Sequence, residues 1–284
     1  MNDRAPAPAP PAAADLDPLT RAFPGASPYD RYVRASTLNT LQHPLTEAPD
    51  EMGFLVTTQV MELWFTLIVH EWRAARTALA KDDLHAAMDA LVRGRRALTA
   101  LDASWTPIAA LTPAQFNGFR AAFGQASGFQ SAMYRHMEFL LGDKSAQMLR
   151  LHQGDTAVHE ALGEAYREPS LYDEVLHYLH RQGLPVPGHV RDRDVTIPHT
   201  SDPGVAEAWR QVYAGPRHHP LLALGELLTD TAELVARWRF DHVMVVRRAM
   251  GTKSGSAGST GLAWLEERAA RPVFPELWEV RGAV

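Results

Sequence analysis

The 284-residue chain contains no cysteine. That excludes disulfides, zinc thiolate sites, iron–sulfur clusters and a thiolate-ligated haem. Neither sign of charge dominates: 28 Lys+Arg stand against 33 Asp+Glu, a net charge of −5. Such a balance gives no electrostatic reason to expect nucleic acid or an anionic membrane surface as partner. No uninterrupted apolar run reaches the roughly 18 residues expected of a membrane span. The most apolar segment, Phe54–Val69, is broken by Thr57, Thr58, Gln59, Glu62 and Thr66. Strict period-two alternation, fixed-period repeats and the GxGxxG, P-loop, HExxH and GxSxG signatures are also missing. The N-terminal residues lack the basic start and continuous apolar core of a signal peptide, so the cytoplasm is the expected compartment. Residues 1–27 read instead as a disordered Ala/Pro-rich arm.

What is present is ordinary globular composition, 46% hydrophobic and 21% charged, with 13 histidines that make imidazole the obvious metal ligand. Hydrophobic residues recur at helical spacing through most of residues 28–284. From Asp50 to Ala80 there is no proline and one glycine, and the apolar residues fall on more than one face, as in a helix buried on most sides. Asp82–Leu101 repeats leucine, methionine and alanine three and four apart. Thr112, Pro113 and Gln115 predict an N-cap, a first-turn proline and a capping box for a helix running to about Phe123. Further helices are predicted over Gly128–Leu141, Glu160–Tyr166, Leu171–Arg181 and Val205–Tyr213. Pro220–Met250 reads as one long helix or two joined ones, stopped by Gly251. Gly183–Pro203 is the one long irregular stretch, and the fold class is a single all-α domain.

Three segments carry candidate chemistry. Trp238–Gly261 joins a helix bearing one histidine, His242, to a stretch with four glycines and three serines between Gly251 and Gly261. A neutral imidazole on a rigid helix is a suitable axial metal ligand, and a Gly/Ser loop after it can close over a bound molecule. The plain alternative is an ordinary helix histidine before a surface loop. In Glu51–His70, Thr57, Thr58, Gln59 and Glu62 must be satisfied within an apolar helix. Either the threonines bond the preceding turn and Glu62 pairs with an arginine, or this face lines a pocket with Phe54 as its wall and Thr58 one turn along. In the third segment Phe116 and Arg120 stand four apart, presenting an aromatic ring and a guanidinium on one face. That pair suits an aromatic amino acid, arginine gripping its carboxylate by two parallel hydrogen bonds, or else the arginine pairs with a surface acid. His177 and His180 stand three apart with no helpful acidic third ligand, and His218-His219 read as a turn.

Taken in order, Glu51-Met52, Phe54 and Glu62-Leu63-Trp64 are followed by Leu111-Thr112-Pro113 with Phe116, Phe119 and Arg120. Then come Ser127-Gly128-Phe129-Gln130-Ser131, Tyr134-Arg135, Glu138–Gly142, Trp238-Arg239-Phe240 with His242, and Phe274-Pro275-Glu276-Leu277. This series resembles the tryptophan 2,3-dioxygenase family from about Tyr29 to Val280. The resemblance implies an all-α fold, one haem b per protomer, a homotetramer, and insertion of both atoms of O2 across the indole C2–C3 bond of L-tryptophan. It assigns the iron to His242, the indole contacts to Phe54 and Phe116, and the substrate carboxylate to Arg120. Trp105 and Ser127 match positions near the haem. Tyr29, Tyr32 and Val33 match a segment that reaches into a neighbouring protomer's pocket, and residues 255–261 match the closing loop.

Departures from that pattern gather at the pocket. Thr58 stands where bacterial relatives carry a distal histidine. Ser256 replaces the loop threonine that contacts the substrate amino and carboxylate groups, and Thr252-Lys253-Ser254 replaces Phe-Lys-Arg. Losing the imidazole leaves space for a substituted tryptophan, or for a water that alters the fate of the oxygen. The expectation is haem-dependent oxygenation of the indole of tryptophan or a substituted tryptophan. The rivals are single-oxygen insertion giving a 2-oxindole or hydroxylated product, and a non-catalytic haem or tryptophan sensor.

Overall fold

A computed structural model of the protein describes residues 25–251, 253 and 261–283. Most of the predicted arm and Ser256, with the rest of its loop to residue 260, lie outside the described residues. The described chain forms two compact units dividing after His43, and every regular element in both is helical.

The first unit holds α1 (Pro28–Val33) and α2 (Ala35–Leu38). The Ser27 side chain caps α1 by accepting from the Asp30 amide, and Pro28 occupies its first turn. Tyr29, Tyr32 and Val33 lie on α1 and are exposed, Tyr32 at 90%.

The second unit is built on α3 (Pro49–Ala80), α4 (Leu84–Ala103), α5 (Pro113–Arg120), α6 (Ala132–Leu140), α7 (Ala146–Arg150) and α8 (Thr156–Arg167). It continues with α9 (Leu171–Arg181), α10 (Gly188–Arg191), α11 (Pro203–Ala214), α12 (Pro220–Met250), α13 (Leu262–Ala269) and α14 (Pro275–Val280). α3 packs on α4, α6 and α9, and α12 packs on α4 and α13. Their shared core includes Ile68, Trp72, Leu79, Leu91, Leu98, Leu101, Leu224, Leu228 and Val235. The Thr112 capping box with Gln115 is formed as its sequence predicts. α12 is one unbroken helix of 31 residues that ends at Gly251, whose φ of 60° only glycine adopts without strain.

One sequence expectation changes. The predicted helix over Gly128–Leu141 splits, because Ser127 caps a one-turn 3₁₀ segment (Gly128–Gln130) and Ser131 then caps α6. A hydroxyl that can satisfy a helix start favours a restart over continuation. α3 passes the length-and-composition test for a membrane-crossing helix, with mean hydropathy 1.5 over 18 residues, a test that the core helix of a globular protein also passes. Its polar breaks are three threonines, Gln59 and one carboxylate, Glu62, and Met52, Val56, Leu63 and Leu67 leave an exposed apolar stripe along it.

A buried ionic cluster fixes α12 against α6 and α13. Glu138 pairs with Arg135 and, at 2.7 Å, with Arg268, while Asp143 takes Arg268 at 2.9 Å and Arg271 at 3.2 Å. Arg239 donates from Nε to the Tyr134 hydroxyl at 3.3 Å and from Nη1 to the Arg271 carbonyl at 3.2 Å. Buried charges are tolerated only when paired in this way.

Candidate active site

On α3, Phe54, Thr58, Met61 and Phe65 follow one another at helical spacing and so share one face. Eleven residues of helix separate Phe54 from Phe65, roughly 16 Å along the axis at about 1.5 Å per residue. Each end of that face meets a different aromatic group.

At the Phe65 end the neighbours come from α6, α12 and the segment just after α4. Phe65 lies 5.4 Å from Tyr134 and 5.5 Å edge-on from Trp238, ring centre to ring centre. Trp238 and His242 are one turn apart on α12, which places both rings on the same side. Trp105, just beyond α4, stacks on His242 at 4.9 Å and 24°. The Trp105 Nε1 donates to the Trp238 carbonyl at 3.2 Å, pinning the indole to the helix that carries the imidazole. Burial lowers the His242 pKa to about 4, so the ring is neutral at physiological pH and keeps a free lone pair. Among the described residues neither His242 nitrogen has a hydrogen-bond partner, and the Trp238 Nε1 is buried without one.

At the Phe54 end the ring is surrounded by Phe116 at 6.0 Å, Phe119 at 5.5 Å and Phe123 at 5.1 Å. Phe116 and Phe119 are buried on α5, and Arg120 is the last residue of that helix. Thr58 donates its hydroxyl to the carbonyls of Phe54 at 3.1 Å and Leu55 at 2.9 Å. The threonine therefore bonds the preceding turn, and its proton is committed to its own helix. Glu62 does not pair with an arginine; its carboxylate is held by the Ser131 hydroxyl, and burial keeps its pKa above the usual glutamate value. Ser127 caps the 3₁₀ turn through a reciprocal pair with Gln130. Lys253, at the start of the glycine-rich loop, reaches Asn117 on α5 at 3.4 Å.

The structure thus brings Phe54 together with Phe116, and Trp105 together with His242, with Thr58 on the face between them. Phe65 and Phe123 escaped the sequence reading as site residues, and Phe119, Tyr134 and Trp238 entered it only as motif residues with no role assigned. Phe116, Phe119 and Phe123 repeat at three and four residues, and Trp238 stands four before His242, so the spacing was there to be read.

A single neutral imidazole, stacked on an indole and lacking a partner, is a fit donor for a metal that brings its remaining ligands with it, as haem iron does. Among the described residues no three His, Asp or Glu side chains converge to hold a bare ion. These features define an all-α protein with a cofactor-ready imidazole at one end of a helix face and an aromatic nest at the other.

Comparison with known proteins makes this specific. The profile of the family described as tryptophan 2,3-dioxygenase matches residues 17–214 and 210–284. The tryptophan 2,3-dioxygenase of Bradyrhizobium diazoefficiens is 41% identical, over 94% of this chain and 98% of its own. That of Exiguobacterium sibiricum is 41% identical over 89% and 91%, and that of Saccharopolyspora erythraea 40% over 90% and 92%. The chain belongs to the tryptophan 2,3-dioxygenase family and is an oxygenase.

Proposed function

We propose that the protein binds haem b through His242 and uses O2 to oxygenate the indole ring of tryptophan or of a substituted tryptophan. The single observation that carries this reading is the Trp105–His242 stack at 4.9 Å, in a chain of this family. Haem, when bound, supplies the dioxygen chemistry. The chain's own residues do the rest. Trp105 and Trp238 hold the imidazole's orientation, and Tyr134 with Arg239 holds Trp238's helix. Phe54 and Phe116 pack the substrate ring, Arg120 takes its carboxylate, and Ser256, outside the described residues, takes the role of the family's substrate-contacting loop threonine. Ser127 and Trp105 line the haem side.

No residue on this face is placed as a general base: Thr58 is an alcohol, too weakly basic to take a proton near neutrality, and it donates its own proton to the Phe54 and Leu55 carbonyls. Indole carbon is nucleophilic without loss of the N–H proton, so none is required. The same observation favours a second outcome within this reading. With threonine in place of an imidazole the pocket is roomier and admits a ring- or side-chain-substituted tryptophan, and single-oxygen insertion becomes the competing result.

The assembly proposed is a homotetramer working in the cytoplasm. The exposed stripe of Met52, Val56, Leu63 and Leu67 on α3 is the kind of apolar face that a second protomer covers. Tyr29, Tyr32 and Val33, all exposed on α1, would enter a neighbour's pocket.

Oxygen uptake by the ferrous, haem-loaded protein tests the reading. Uptake with tryptophan and much slower uptake with tryptamine is expected, because only tryptophan offers Arg120 a carboxylate. Binding of tryptophan without uptake would make the protein a sensor.

A further inference from the structure

Four phenylalanines pack against one another at the Phe54 end, all six ring pairs lying between 5.1 and 6.1 Å. Five of the six pairs are tilted or edge-on. The exception is Phe54 with Phe123, which are near-parallel at 22° and closest at 5.1 Å. These two rings are also the half-buried pair, whereas Phe119 is 1% exposed and Phe116 8%. Phe123 therefore lies against a face of Phe54 at the rim of the nest, in the offset geometry an incoming aromatic ring would adopt.

The backbone under Phe123 differs from that under its partners. Phe116 and Phe119 belong to the capped helix α5, while Phe123 ends a single 3₁₀ turn, Ala121–Phe123. The next residue, Gly124, has φ 56° and ψ −113°, a conformation open to glycine alone, and a side chain built there would meet nothing within 4 Å. Gly124, Gln125 and Ala126 are exposed. Phe123 thus ends a short turn next to an exposed glycine and, unlike Phe116 and Phe119, is only half-buried in the nest.

We propose that Phe123 is the affinity-setting residue of this site: it competes with the substrate's ring for the aromatic face of Phe54. The inference rests on the reading of Phe54 and Arg120 as substrate contacts. A ligand must replace the Phe54–Phe123 stack to bind, so its apparent affinity falls by the fraction of molecules in which Phe123 has moved aside. An aromatic amino acid restores that stack with its own ring. An aliphatic one does not, and binds more weakly by about two- to tenfold.

The test is equilibrium binding of tryptophan to the ferric, haem-loaded protein, which does not turn over, followed by calorimetry. Phe123→Ala and the bulk-retaining Phe123→Leu are expected to bind tryptophan about two- to tenfold more tightly, the worth of one aromatic pair. Phe54→Ala is expected to weaken binding. Phe123→Ala or Phe123→Leu that weakens binding, or leaves it unchanged, makes Phe123 a wall of the pocket or a bystander and overturns the proposal. If Phe54→Ala and Arg120→Ala both leave tryptophan affinity intact, the pocket itself is misassigned. That result is separate from the Phe123 variants and removes this inference along with its premise.

Discussion

The indole of Trp105 stacks on the imidazole of His242 at 4.9 Å and 24°, while its Nε1 holds the backbone carbonyl one turn upstream of that histidine. One side chain thus restrains both the ring and the helix that carries it. A ligand that must present its lone pair in one direction gains from such restraint before any cofactor arrives.

Trp105→Phe keeps a stacking ring and loses one hydrogen bond, a cost of about 1 kcal/mol in stability. Trp105→Leu also loses the aromatic contact and leaves a cavity, costing about 3 kcal/mol or more. Haem retention should follow the same order, with Trp105→Phe near wild type and Trp105→Leu clearly lower on dilution. Equal retention in the two variants would show that the stack does not position His242.

Thr58→His places an imidazole on the face between the two aromatic groups. It should disfavour ring- or side-chain-substituted tryptophans over tryptophan by about tenfold in kcat/KM, the range a lost or gained methyl group covers in a fitted pocket. Unchanged relative rates and an unchanged product mixture would mean that residue 58 does not shape the pocket.

Glu138 is 1% exposed and holds both Arg135 and Arg268. Glu138→Gln leaves those guanidinium groups buried and underpaired, so unfolding in urea should show a loss of about 3–5 kcal/mol. A loss below about 1 kcal/mol would mean the cluster is not what fixes α12 and α13 together.

His136 and His199 are both pushed down to about 4, in each case chiefly by burial. Their folded-state values lie below the unfolded value of 6.5, so the unfolded chain binds more protons between these limits. Stability should therefore be full above pH 6.5 and fall as pH drops toward 4. The loss at pH 5 should be on the order of 1–2 kcal/mol per imidazole. His199→Gln should flatten part of that slope, and an unchanged slope would remove His199 from the account.

Much of this molecule is legible in its residues. Pro49, Asp83, Thr112 and Pro220 mark helix starts because each satisfies or forgoes a backbone donor locally, and Gly251 marks a stop because its φ is positive. The pairing of Phe54 with Phe116, or of Trp105 with His242, is not a local property. Sixty-two residues separate the first pair and 137 the second, so their contact depends on how α3, α4, α5 and α12 pack. The order of motifs supplied those pairs through family resemblance, whereas spacing alone left each residue with an ordinary core alternative. Thr58 shows the opposite limit: its sequence position marks a departure, but only the geometry shows its hydroxyl bound to its own helix.

The central claim is that this chain oxygenates the indole of tryptophan with dioxygen. Mass spectrometry of the products formed from tryptophan by the ferrous, haem-loaded protein under isotopically labelled O2 tests it most directly. A ring-opened product carrying two labelled oxygen atoms is expected, and that product should be lost in His242→Ala. A product with one labelled atom and an intact ring would transfer the chain to single-oxygen insertion, and a product with no label would contradict the assignment altogether.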